Sequence, residues 1–116
     1  MAARRWVSRL ARLAAAGLWW LSFAASAAEL PTVSIVVRDG RIEPATLAVP
    51  AGVKLRLAVR NAGTGPCEFE NLGLRVEKVL APGAASTLVL HPLRPGTYIF
   101  VDEFHPDGAP LTLVAK

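Results

Sequence analysis

From residue 53 to residue 60 the chain has a period of two: Val53, Leu55, Leu57 and Val59 on one side, Lys54, Arg56 and Arg60 on the other. A repeat of two is the repeat of a β-strand, and a strand apolar on one face only must bury that face against a second layer. Shorter stretches carry the same signal. Val33, Ile35 and Val37 alternate up to a turn at Asp39-Gly40, and Ile42 to Val49 continues extended, with Pro44 restricting it to an edge or an irregular strand. After a Gly-containing loop from Asn61 to Pro66, extended runs are expected at Cys67–Glu70, Leu72–Leu80, Ser86–Leu90, Thr97–Val101 and Leu111–Ala115, with Pro82-Gly83 and Pro95-Gly96 as turns. No helical period is sustained. The pattern predicts an all-β sandwich of six to eight strands.

This reading applies from Glu29 onward. Before it, Arg4, Arg5, Arg9 and Arg12 precede an apolar run from Leu13 to Ala24, and Ala25-Ser26-Ala27-Ala28 supplies small residues for cleavage. That order is the order of a secretory signal peptide, and the run is shorter than the roughly 20 residues that span a bilayer. Residues 1–28 are therefore read as a leader and 29–116 as one domain in a secreted, periplasmic setting. The split changes the charge balance. The formal charge of +4 arises from 13 basic and 9 acidic residues, and four of the arginines belong to the leader. The remainder is balanced, which argues against nucleic acid or an anionic membrane as partner on composition alone. Cys67 is the only cysteine. No intramolecular disulfide can form, so stability must come from apolar packing.

Two segments carry the chemistry. Asp102-Glu103-Phe104-His105-Pro106-Asp107 follows one expected strand, and Cys67-Glu68-Phe69-Glu70 begins another. Strand parity puts Cys67 and Phe69 on one face and Glu68 and Glu70 on the other, unless a bulge intervenes. Two arrangements follow. An inward one uses Cys67, Asp102 and His105; an outward one uses Glu68, Glu70, Glu103 and His105 near the surface. Carboxylates with imidazole suit iron, Cu(II) or manganese better than Cu(I). The same acids also fit solvated faces of edge strands, and His105 also fits a cap on the acidic loop, bonded to Asp102 or Asp107. His91, beside Pro92, reads as an exposed turn residue. No Ser/His/Asp arrangement, phosphate loop or cofactor fingerprint is present, which disfavours a hydrolase or nucleotide enzyme.

The order of an Asn-containing loop, Pro66-Cys67-Glu68-Phe69, then Pro95-Gly96-Thr97-Tyr98-Ile99-Phe100, a His-bearing loop and a last strand resembles a cupredoxin, a Greek-key β-sandwich, over Val33 to Lys116. Glu68-Phe69-Glu70, Leu74-Arg75-Val76-Glu77-Lys78, Pro82-Gly83, Leu93-Arg94-Pro95-Gly96-Thr97-Tyr98 and Glu103-Phe104-His105 are similar to the cupredoxin-like domains of bacterial periplasmic iron-uptake systems of the Efe and Ftr type. A blue-copper centre needs a thiolate, two imidazoles and a weak axial donor, usually Met. Here Asp102 stands where such proteins keep the thiolate, Cys67 where they keep the upstream histidine, and the only methionine is Met1.

The resemblance implies Glu68, Glu103 and His105 as leading metal ligands, with Asp102, Glu70 and Cys67 as supplementary ones. It implies a protein that captures, oxidises or delivers iron or copper, working with a membrane iron permease and other periplasmic iron-uptake components. Any enzymatic activity would be ferroxidase-type oxidation, for which the residues themselves offer no evidence. Two alternatives stand beside this reading: copper electron transfer through an atypical site using Cys67, and a metal-free binding module. A homodimer could complete a shallow site from two chains.

Overall fold

The computed structural model describes residues 30–116; the expected leader at residues 1–28 lies outside the described residues. Nine strands form two sheets. The first sheet contains β1 (Thr32–Arg38), β2 (Arg41–Glu43), β4 (Leu55–Asn61) and β7 (Ala85–Leu90), in the order β2-β1-β4-β7. The second contains β3 (Thr46–Val49), β5 (Cys67–Asn71), β6 (Val76–Leu80), β8 (Gly96–Asp102) and β9 (Leu111–Ala115), in the order β3-β9-β8-β5-β6. The pairs β1/β4 and β3/β9 are parallel and the others antiparallel.

The strong alternation of β4 decides its faces. Leu55, Leu57 and Val59 are buried, while Arg56 and Arg60 are exposed. Val53 departs from the expected pattern: it precedes the first ladder pair and is 38% exposed. The run from Ile42 to Val49 is not one strand. It divides at Pro44, which has no N–H for a ladder, so β2 closes the edge of the first sheet and β3 the edge of the second. Likewise the expected strand from Leu72 to Leu80 starts with a 3₁₀ turn at Leu72–Leu74. Asn71 caps this turn through Leu74 N–H, and Arg75, in the left-handed conformation, ends it before β6.

The inner faces meet in a single core. Ile35, Val37, Leu57 and Val59 come from the first sheet and Phe69, Phe100, Leu111 and Leu113 from the second, each at most 1% exposed. The Phe69 and Phe100 rings stack with centroids 5.0 Å apart and planes within 10°. One buried polar side chain ties the ends together: Asn61 Nδ2 donates to the carbonyls of Gly65 and Leu80, and its Oδ1 accepts from Gly63 N–H. The Asn61–Pro66 loop is thus fastened to β6, which fixes where β5 begins. Removal of one stacked ring is expected to be costly: Phe69→Ala should lower the unfolding free energy by about 3–5 kcal/mol in urea titrations.

Candidate metal centre

Asp102 is the last residue of β8 and pairs with Phe69, so its side chain shares the inner face. Its side chain is fully buried. A carboxylate there requires donors, and it has three. Oδ1 accepts from the N–H of Glu68 at 3.0 Å and of Phe104 at 3.1 Å, and Oδ2 meets His105 Nδ1 at 2.7 Å. The accepting carboxylate places the imidazole proton on Nδ1 and leaves the lone pair on Nε2. The ring, 41% exposed, rests against Gly40. Gly40 has a positive φ of 86°, and a Cβ there would lie 2.7 Å from His105 Cβ, so only glycine fits beneath the ring. Asp39, beside it, accepts from Thr64 N–H and hydroxyl, and these bonds hold its carboxyl below the usual range.

Cys67 is 2% exposed and faces the core with Phe69. Burial, and then the charge of Asp102, push its thiol up, while the Leu80 N–H acts the other way. The opposite parity puts Glu68 and Glu70 on the outer face, in line with the strand pattern. The β5/β6 ladder adds a third acid that the sequence reading did not name as a ligand: Glu70 stands directly opposite Glu77, and Glu68 opposite Val79, two residues along. One carboxylate oxygen from each of Glu68, Glu70 and Glu77 lies within 4.8 Å of the others. Glu70 is 7% exposed, Glu68 half-buried and Glu77 exposed.

Three like charges at this spacing repel unless a proton or cation intervenes. The hydrogen bond to Glu77 is the largest influence on Glu68; burial, the bond to Glu70 and the two neighbouring charges add to it, and its pKa is pushed up to about 7. No lysine or arginine relieves the cluster: the only ion pair among the described residues is His105 with Asp102. Glu77 was detectable only through hairpin register, because the 3₁₀ turn between β5 and β6 determines which residue faces Glu70.

The remaining candidates are arranged differently. Glu103 donates its N–H to the Glu68 carbonyl at 2.9 Å, so the two backbones are adjacent, but its exposed carboxylate is outside the three-oxygen group, as are Asp102, His105 and Cys67. His91 follows Leu90, which pairs with Leu55 at the start of β4, whereas His105 lies beside Asp39 at the far end of the sandwich. The two histidines and Cys67 therefore cannot surround one ion, and the donor set does not fit a blue-copper centre.

The family model described as a cupredoxin-like domain matches residues 11–115. The chain is 36% identical over 77 residues to the uncharacterised protein RP394 of Rickettsia prowazekii, covering 66% of this chain and 62% of that protein. It is 34% identical over 91 residues to the iron uptake system component EfeO of Escherichia coli K12, covering 75% of this chain but only 24% of EfeO. Among solved structures, the metal binding domain of the Cu(I)-exporting P-type ATPase CopA of Streptococcus pneumoniae aligns with a TM-score of 0.64 at 13% identity, covering 73% of this chain and 84% of that one. At that identity the likeness speaks for the fold.

Asp102→Ala should destabilise the protein by about 3 kcal/mol, because two backbone N–H groups lose their acceptor. Asp102→Asn, which keeps an oxygen acceptor, should cost clearly less in the same denaturation assay.

Proposed function

Because the chain belongs to the cupredoxin-like domain family, we propose that it is a metal-ion-binding protein that captures iron in the periplasm and hands it on to a membrane uptake permease. One observation carries the reading: Glu68, Glu70 and Glu77 present three oxygens within 4.8 Å on an outer sheet face, with no basic partner in an ion pair among the described residues. Hard oxygen donors of this kind favour Fe(III) or Mn(II) over Cu(I), and Cu(II) is the competing borderline ion. The likeness to EfeO, an iron uptake system component, supports iron as the cargo. The chain spans about a quarter of that relative, so the permease and the other uptake components are part of the proposal rather than of the likeness.

In this reading the cation replaces the proton that the cluster otherwise retains. With Glu68 at about 7, metal entry near neutrality displaces part of a proton. Three protein oxygens leave the remaining coordination positions to water or to a receiving group, an arrangement suited to transfer rather than to permanent retention. The buried Asp102 does not act on the ion; it holds the start of β5 by the Glu68 N–H and so sets the direction of the Glu68 side chain. His105 is fixed by the same carboxylate. Its Nε2, and Glu103 beside Glu68, remain supplementary donors for an ion passing from the cluster to the loop.

Calorimetry with Fe(III)-citrate and with Mn(II) tests the reading. One ion per chain is expected, and Glu77→Gln should weaken binding at least about tenfold while the far-ultraviolet circular dichroism is unchanged. Equal binding by wild type and by a Glu70→Gln/Glu77→Gln double variant would sink it. A pH series gives a second expectation. Glu68 has a folded pKa above its unfolded one, so the folded state holds the extra proton between the ordinary carboxyl range and about 7. The melting temperature of the metal-free protein should therefore fall as pH rises through that window, and added cation should raise it more at pH above 7 than below 5. Glu77→Gln should flatten the pH series.

A further inference from the structure

The balanced charge of the domain conceals two opposed faces. On the outer face of the first sheet stand Arg38, Arg41, Arg56 and Arg60, all exposed, with Glu43 as the one acid. Their places follow from the ladders. Arg38 is directly opposite Arg41; Arg60 shares a row with Val36, which in turn faces Glu43; Arg56 lies between Thr32 and Val89. None of these arginines makes an ion pair, since His105 with Asp102 is the only pair among the described residues. Two like charges directly opposite in a ladder work against the fold; Asp39, in the turn between them, offsets Arg38 only in part, so the Arg38/Arg41 pair still favours an external anion. The other outer face, on β5 and β6, carries Glu68, Glu70 and Glu77. The two sheets lie back to back, so the faces point in opposite directions.

We propose that the arginine face of the β2-β1-β4-β7 sheet docks on the anionic phospholipid headgroups of a membrane, with the glutamate face turned away from it. Shape favours a plane: none of the principal hollows of the described surface is lined by Arg38, Arg41, Arg56 or Arg60, and the residues between them, Ser34, Ala58 and Thr87, are short. Size favours a lipid surface over a protein. Four strands at about 4.8 Å spacing and seven residues at about 3.3 Å give a face of roughly 400 Å². As a projected area that face, roughly 800 Å² for both sides of a stacked pair, is in the range of transient rather than stable protein contacts. Adsorption to a continuous anionic surface has no area threshold, because each arginine within a Debye length contributes on its own. The summed charge of the chain hides this property; the segregation of that charge between two sheets produces it.

The test is co-sedimentation with vesicles of phosphatidylcholine, with and without phosphatidylglycerol, at low and raised salt. The protein should partition onto the phosphatidylglycerol vesicles, less so at raised salt, and not onto phosphatidylcholine alone. Arg56→Glu/Arg60→Glu should reduce partitioning at least about tenfold, and the independent pair Arg38→Glu/Arg41→Glu should do the same. Both variants should keep the wild-type affinity for Mn(II), which separates this inference from the metal reading. No phosphatidylglycerol-dependent binding at low salt, or equal binding to both vesicle types, would overturn it. So would lipid-free self-association in sedimentation velocity that either double variant abolishes, which would make a second copy the occupant.

Discussion

The carboxylate of Asp102 is the point on which the functional end of this molecule depends. It is fully buried, and a carboxyl group at such depth persists only with hydrogen-bond partners for its oxygens. Those partners come from the start of β5 and from the turn after β8, where Phe104 and His105 are adjacent. By accepting from Glu68 N–H, Asp102 fixes the start of β5 in register against the end of β8. Parity then does the rest: Cys67 and Phe69 go inward, Glu68 and Glu70 outward. The core follows the same register, since Phe69 reaches Phe100 only from that side of the strand.

The same residue shows why this member of the cupredoxin-like family does not assemble a blue-copper donor set. Asp102 and His105 satisfy each other, Cys67 is kept protonated by burial and by the adjacent negative charge, and the second histidine sits at the opposite pole. Donors that satisfy one another are a structural connection. Donors that repel one another are where a cation lowers the energy, and that condition holds for Glu68, Glu70 and Glu77 on the outer face. The chain thus keeps two arrangements apart: a carboxyl and an imidazole that fasten the loop to the sandwich, and a carboxylate cluster with no ion pair among the described residues. The arginines of the opposite sheet extend that separation across the whole domain, with anionic and cationic chemistry on opposite sides of one apolar core.

Much of this was legible in the residues. The alternation at Val53–Arg60 predicted both the sandwich and the outward direction of Arg56 and Arg60, because a strand's side-chain period is fixed by backbone geometry. The parity of Cys67-Glu68-Phe69-Glu70 was equally readable and held without a bulge. Pro44 signalled an irregular strand, though not that the chain changes sheets there. The outward arrangement of Glu68, Glu70, Glu103 and His105 was an expectation from strand parity and family resemblance, whereas the three carboxylates that lie within 4.8 Å of one another are those of Glu68, Glu70 and Glu77.

By itself the sequence determined what depends on local periodicity: an all-β domain, which positions face inward, and which residue types were available as ligands. Only the tertiary structure decided which of those ligands meet, because that depends on ladder register between segments remote along the chain. A 3₁₀ turn of three residues brought Glu77 opposite Glu70, and a buried carboxylate engaged His105 through Nδ1. Composition likewise recorded a neutral domain, and only the assignment of each charge to one of two sheets revealed that its surface is not neutral on either side.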